Sequence, residues 1–408
     1  MSPTFIYIPA SGPLPGTQDF KISYLSVGGS SCLAKDQWGD IYVWGLNNYG
    51  QLGNGGTSTG QTPTKHTALS AVSIDVVKMG ESHCLYTLTT DSKIYGFGRN
   101  HLGQLGFDNT TLQYQNPVAL FSNGNIEQFG AGFNHSLISS AWGGGSNGLR
   151  LFTSGNNSFS SLGRTGNSES FIQITSPVEF DSQLALSHKF SGGSNHSIAI
   201  VGANEIYTFG KNNYGQLGLN HTTSPVAEPA LVPGTATLFG FSNPKQIECG
   251  DDTTFVLTEN GKVWACGRGT YGRLGLGDTN SRDQFTQITT VNNGSGNEPI
   301  GTISKIGVGH DHLALLSSSG NIYLAGNGGS GQLSTGFNIT TLSTPTLNNY
   351  QISNPSHVFS DVGCGNDFTI AVDSSSVAWS TGKNSSFELG LGDNSQRSSF
   401  TKMSYTLP

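Results

Sequence analysis

The chain has 408 residues, with 19 lysines and arginines against 26 aspartates and glutamates, a formal charge of −7 with histidine neutral. There is no Lys/Arg run and no apolar stretch near the ~18 residues of a membrane span, so neither direct nucleic-acid binding through phosphates nor a transmembrane helix is expected. Charged residues are only 11%, while glycine is 57 of 408, about twice its usual ~7%, so turns and close backbone approaches dominate.

The opening segment carries no basic region of the secretory kind, and a nuclear or cytoplasmic location is expected. Within it, "TFIYIPASGPLPG" at 4–16 reads as a decayed half-repeat. Residues 1–20 are therefore expected to help close a ring, one terminus adding a strand to the other's last unit. The five cysteines, Cys32, Cys84, Cys249, Cys266 and Cys364, form no CxxC pair and read as reduced interior residues.

From residue 21 onward the chain repeats. The string "GLNNYGQLG" at 45–53 returns as "GRNHLGQLG" at 98–106, "GNNSFSSLG" at 155–163, "GKNNYGQLG" at 210–218, "GRGTYGRLG" at 267–275, "GNGGSGQLS" at 326–334 and "GKNSSFELG" at 382–390. The leading glycines are 53, 57, 55, 57, 59 and 56 residues apart, and only Ser334 departs from glycine at the second anchor. Before each leading glycine lies a short apolar run such as "IYVW" at 41–44 or "IYTF" at 206–209. Four residues rich in β-branched and aromatic types between turns read as a strand, and with both faces apolar that strand is covered on each side. Earlier still, a glycine is followed three residues on by a polar or aromatic residue and another strand, from Gly28–Ser31 to Gly365–Phe368. No segment has a 3.6-residue apolar period, so helix is absent as an organising element.

Seven all-β units with two covered faces point to radial blades about an axis, which bury every sheet and leave only short edges. A straight β-solenoid is the alternative, but its turns are about 20–30 residues. The predicted fold is all-β, a seven-bladed β-propeller forming one domain over 1–408, with repeats near 21–55, 73–108, 126–165, 187–220, 246–278, 303–336 and 358–393. In it, the glycines of "NNYGQLG" supply positive φ, and Leu52 or Leu217 fills an apolar gap between neighbouring blades.

The G-x-x-H turn, the "IYVW" strand and the "NNYGQLG" turn together resemble the regulator of chromosome condensation family, over residues 21–393. That resemblance implies the same seven-bladed propeller.

Four histidines, His83, His135, His196 and His312, recur at one place in their repeats. Equivalent positions lie on a ring, too far apart to share an ion, so a structural role is expected and no metal site. The two residues ahead of that position emerge together on one face: Glu81 in the second repeat, Asn134 in the third, Asp251 and Asp252 in the fifth, His310 and Asp311 in the sixth, Asp367 in the seventh. In a chain poor in charge, five carboxylates there suggest an acidic, partner-facing rim, although Asp and Asn also suit such turns through local hydrogen bonds.

In the family's exchange factor for the GTPase Ran, these turns contact the GTPase. The resemblance therefore implies a protein-binding propeller that acts as a guanine-nucleotide exchange factor for a Ran-type small GTPase, with Glu81 and Asp252 keeping the family's acidic character and Asn134 departing from it. Such a factor does no covalent chemistry, so the chain is not expected to be an enzyme: it favours the nucleotide-free GTPase. The alternative is a protein-interaction scaffold of the same family without exchange activity. Two departures bear on the choice. No inter-repeat stretch is long enough for the family's wedge insertion, the nearest candidates being 291–301 and 140–150, and the basic amino-terminal tail that serves chromatin binding has no counterpart. "GRGTYG" at 267–272 precedes no helix pattern, so no dinucleotide site and no cofactor is expected.

Overall fold

The computed structural model describes residues 17–107, 111–121, 125–141, 149–166, 168–175, 189–201, 205–240, 242–336 and 339–406. Seven sheets follow one another, each built on four antiparallel strands hydrogen-bonded in chain order, the sixth widened at its outer edge by a two-strand hairpin that joins in parallel. In blade 1 these are Ile22–Gly28, Ser31–Asp36, Ile41–Gly45 and Gly60–Lys65. The first strands of blades 2 to 7 are Ile74–Met79, Asn125–Ala131, Lys189–Gly192, Pro244–Cys249, Ile303–Val308 and Phe359–Cys364. Each first strand touches that of the next blade, and the seventh touches the first. The sheets therefore stand around an axis, not along a line, and the fold is the predicted all-β seven-bladed propeller. Among the described residues, helix is confined to turns of three to five residues such as Thr67–Ser70 and Asn349–Ser353.

The middle strands are buried along their length, Thr253–Thr258 and Phe368–Asp373 being examples, as expected for strands covered on both sides. Packing is between blades. Leu52 lies with Leu33, Ile41 and Val43 of blade 1 against Val77, Cys84 and Phe97 of blade 2, and Leu217 joins Ile198 and Ile206 of blade 4 to Ile247 and Phe285 of blade 5. Both leucines are fully buried, worth about 1.5–3 kcal/mol each by area. The five cysteines are buried free thiols.

The repeated turn needs glycine for two reasons. Gly210 has φ +106°, and a Cβ there would meet the Asn195 carbonyl at 2.5 Å; Gly218 has φ +66°, and its Cβ would strike the Phe285 ring at 2.6 Å. The intervening Asn212 is a clamp: its Oδ1 accepts from Leu217 N at 3.1 Å and its Nδ2 donates to His221 O at 2.8 Å. Asn47, Asn100, Asn157 and Asn384 make the same pair of contacts. Ser334 takes φ +52° in place of glycine, and its hydroxyl accepts from Phe400 N at 3.0 Å.

Ring closure differs in form from the strand donation expected. Blade 7 draws its four strands from the last repeat, ending with Arg397–Lys402. Thr17–Asp19 instead pairs antiparallel with Ser404–Thr406 in a separate two-stranded ribbon. Phe20, Trp44 and Leu389 then pack in one buried cluster with Ile370 and Met403. A two-strand ribbon suffices because the apolar seam between blades 7 and 1 is already complete. Residues 4–16, the proposed half-repeat, lie outside the described residues.

Candidate functional site

In every blade the first strand ends, and the third strand returns, on the same face of the ring, so both glycine-anchored turns of each repeat converge there. The residue after the anchor glycine sits over the axis. Glu81, Phe133, His310 and Asn366 stand around a narrow vestibule of about 80 Å³. Asn366 Nδ2 donates to Glu81 Oε1 at 2.8 Å, the Phe133 and His310 rings face each other with centroids 5.9 Å apart, and Ser194 donates its hydroxyl to Asp251. Blades 2, 3, 4, 5, 6 and 7 thus meet across the mouth.

In blades 5 and 6 the next residue of the turn is tucked against the preceding blade. Asp252 is only 2% exposed. Its carboxylate takes Lys211 Nζ at 2.9 Å, Gln216 Nε2 at 3.0 Å and Arg268 at 3.8 Å. The expected partner-facing role of Asp252 is corrected to this extent: the side chain is buried among three donors, because a buried carboxylate without them would be too costly. Asp311 is held by Arg273 and by His310 Nδ1 at 3.0 Å, and Asp367 faces Lys383 at 3.8 Å. His310 also approaches Asp251 at 3.6 Å. The acidic rim is therefore a braced network in which three carboxylates, Asp252, Asp311 and Asp367, meet four permanent cations, while Glu81 is held by Asn366 and Asp251 by Ser194 and His310. Asn134 stands half-buried in its turn, its carbonyl accepting from Asn156 N at 2.8 Å.

The electrostatics follow from this pairing. Burial would raise the Asp311 carboxyl, but the His310 hydrogen bond and the Arg273 charge outweigh it and hold the group below its ordinary value. His310 is raised, first by its hydrogen bond to Asp311, against burial. Glu81 is raised by burial, partly offset by Asn366. Asp251, His310 and Asp311 bring ligand-type atoms within 4.8 Å of one another; with Arg273 already against Asp311, the arrangement is an ion-pair network and a poor cage for a dication.

The four repeated histidines are elsewhere, inside the wall. His83 Nε2 lies 3.0 Å from Ser136 Oγ of the next blade, and that hydroxyl donates to Gln104 O at 2.6 Å. Because the hydroxyl proton is spent on the carbonyl, the imidazole Nε2–H is the donor in the first bond. His135 with Ser197, His196 with Thr254 and His312 with Thr369 repeat the relay at 2.8, 3.0 and 3.0 Å. Burial pushes His83, His196 and His312 down to about 4 and His135 to about 3. They are neutral ties between blades.

Sequence reasoning missed the cations and rings of the second turn. The residue after its leading glycine is basic in four repeats, Arg99, Lys211, Arg268 and Lys383, a signal that was present and went unread. Three of these lie over aromatic rings of the preceding blade: Arg99 over Tyr49 at 4.3 Å, Lys211 over Phe159 at 5.7 Å and Arg268 over Tyr214 at 5.0 Å. A ladder of cation–π contacts surrounds the charged centre.

The RCC1-like domain model matches residues 9–301. The chain is 29% identical over 287 residues to the ultraviolet-B receptor UVR8 of Arabidopsis thaliana, covering 70% of this chain and 62% of the receptor. It is 30% identical over 362 residues to the Homo sapiens probable E3 ubiquitin-protein ligase HERC4, covering 88% of this chain and 32% of that protein. With the Homo sapiens X-linked retinitis pigmentosa GTPase regulator it shares 32% over 295 residues, 60% and 28% of the two chains. The chain thus spans less than two thirds of the length of these curated relatives. Among solved structures, human WBSCR16 superposes with a TM-score of 0.73 at 20% identity, covering 90% of this chain and 95% of that one. Saccharomyces cerevisiae Prp20p, described with its binding properties to Gsp1p and histones, superposes with a TM-score of 0.67 at 17% identity, covering 94% and 88%. Seven sheets in a closed ring, twin glycine turns in each and a family match over most of the length lead to one conclusion: the chain belongs to the RCC1-like domain family.

Proposed function

We propose that the chain is a protein-binding propeller that docks its partner on the turn face, and that the partner is a small GTPase of the Ran type whose nucleotide-free form it stabilises. The observation that carries this reading is the convergence on one mouth of Glu81, Asp251, His310, Asp311 and Asp367, from blades 2, 5, 6 and 7, each braced by a named neighbour. Rigid charged groups ringed by Tyr and Arg side chains resemble the anchors of protein interfaces. Asn134 adds a half-buried polar contact on the same face, and Asp252 acts indirectly, by holding Lys211 and Arg268. Preferential binding of the empty GTPase lowers its nucleotide affinity by reciprocity, with no covalent step. Similarity to a protein named as a GTPase regulator, and a fold shared with Prp20p, support this choice of partner. A nuclear or cytoplasmic location goes with it.

A second reading, an interaction scaffold without exchange, is favoured by one observation. Of the two insertions nearest to a wedge, 140–150 lies largely outside the described residues, and the other forms a hairpin, Thr290–Asn292 with Asn297–Pro299, which pairs Asn292 with Thr346 at the outer edge of blade 6, at the strand end away from the turn face. Release of fluorescent nucleotide from Ran-type GTPases, measured with the wild-type chain and with Glu81→Ala and His310→Ala, separates the two. Acceleration that both variants weaken supports exchange on this face; a stable complex without acceleration supports the scaffold; neither complex nor acceleration removes the GTPase.

A further inference from the structure

Beneath the vestibule the axis widens into a cavity of about 250 Å³ lined by first-strand residues of all seven blades. Its composition at one level is uneven. Two residues before each anchor glycine, the chain places Ser26, Lys78, Ser191 and Glu248 in blades 1, 2, 4 and 5, and glycine in blades 3, 6 and 7. The three glycines, Gly130, Gly307 and Gly363, bring no side chain to that tier and pack against the first strand of the next blade, where a Cβ on Gly130 would meet the Phe190 carbonyl at 2.9 Å, so the side chains this tier gives to the cavity lining are those of Lys78, Glu248, Ser26 and Ser191.

These four groups have unused capacity. Lys78 makes no ion pair among the described residues, and Ser26, only 9% exposed, makes no side-chain hydrogen bond among them. Ser191, 7% exposed, accepts from Cys249 N at 3.1 Å and keeps its own proton to donate. Glu248 is steadied by Gln246, whose Nε2 donates to Glu248 Oε1 at 3.1 Å and to Ile306 O at 2.7 Å. The neighbouring Lys305, by contrast, is already neutralised by Asp361. Lys78 and Glu248 come from blades three steps apart in a ring of seven, so their strands stand on opposite sides of the axis.

We propose that this tier binds a small amphoteric molecule of the α-amino-acid class, its carboxylate on Lys78 with the hydroxyl of Ser26, and its ammonium on Glu248, beside which the Ser191 hydroxyl stands. A water occupies about 30 Å³, so the cavity has room for about eight waters, or for one molecule of about that many heavy atoms. Two opposite charges held apart by the ring select a ligand that carries both, since a simple anion or cation would leave one of them unmatched. The site does not depend on partner docking, which uses the turn face above it.

Isothermal titration calorimetry of the full chain with a panel of free L-amino acids, their N-acetyl and carboxamide derivatives, a dicarboxylate and a diamine tests this. One-site binding is expected for at least one amino acid, weakened at least tenfold by blocking either end of the ligand and by Lys78→Met or Glu248→Gln. The blocked-ligand arm uses the wild-type chain and is independent of how well the variants fold. Absence of heat with every amino acid, equal binding of a blocked form, the dicarboxylate or the diamine, or unchanged affinity in folded variants overturns the proposal.

Discussion

Trp44 of blade 1 donates its indole N–H to the carbonyl of Glu388 in blade 7 at 2.9 Å. Leu389, next to that carbonyl, occupies in the closing seam the place that Leu52 and Leu217 occupy in theirs, and it too is fully buried. The last joint of the ring is built like the others, with Phe20 and Met403 added from the terminal segments. If so, Leu389→Ala and Leu217→Ala should cost similar amounts, about 2–5 kcal/mol each in denaturant unfolding. A closing seam much weaker than the internal one would show as a Leu389→Ala cost well below that of Leu217→Ala.

The buried histidines make stability depend on pH in a definite direction. Each is neutral when folded, with a value pushed down to about 3 or 4, and ordinary, near 6.5, when unfolded. The unfolded chain therefore binds more protons between those values. Stability is fully present above about pH 6.5 and is lost as pH falls toward 4, by up to about 1.4 kcal/mol per pH unit for each histidine. His312→Phe, which installs the residue blade 7 already has at Phe368, should flatten the pH dependence of the unfolding free energy over that window by about one proton; an unchanged slope would mean His312 is charged in the folded chain.

Arg273 stands where other repeats have Gln51, Gln104, Gln216 and Gln332, and it faces Asp311 as Gln216 faces Asp252. Arg273→Gln should therefore be tolerated within about 1 kcal/mol, by a hydrogen bond of the same kind. Arg273→Ala, which leaves the part-buried Asp311 carboxylate with His310 alone, should cost more, about 3 kcal/mol. Equal costs in urea denaturation would contradict the pairing.

His310 should titrate above its ordinary range, because its hydrogen bond to Asp311 and its approach to Asp251 favour the imidazolium. An NMR titration of its ring protons is expected to show this, and Asp311→Asn should bring the midpoint down. A midpoint unmoved by that substitution would mean that the acid is not its partner.

The ring was legible because its causes are local. Glycine at fixed spacing, a buried leucine between blades and apolar strands on either side are stated in every repeat, so the positions of Leu52, Leu217 and the four histidines followed from counting. The charge pattern of the turn face was less so, because several of its pairs run between blades. Asp252 meets Lys211 and Gln216 from the blade before, and Asp311 meets Arg273 across the same kind of step; no window of sequence contains both partners. The axial tier of Lys78 and Glu248 escaped notice for the same reason. Its members belong together only once the first strands stand side by side around the axis.

The most direct test of the closed ring is zero-length carbodiimide cross-linking of the monomer, read by mass spectrometry. Lys402 Nζ, at the end of the last strand of blade 7, lies 2.7 Å from Asp19 Oδ1 of the terminal ribbon, and Lys65 Nζ lies 2.6 Å from Asp40 within blade 1 as an internal reference. The account predicts an intramolecular peptide joining residues 19 and 402 alongside the one joining 40 and 65. Recovery of the 40–65 link with no link between 19 and 402, or with that link only between molecules, would contradict it.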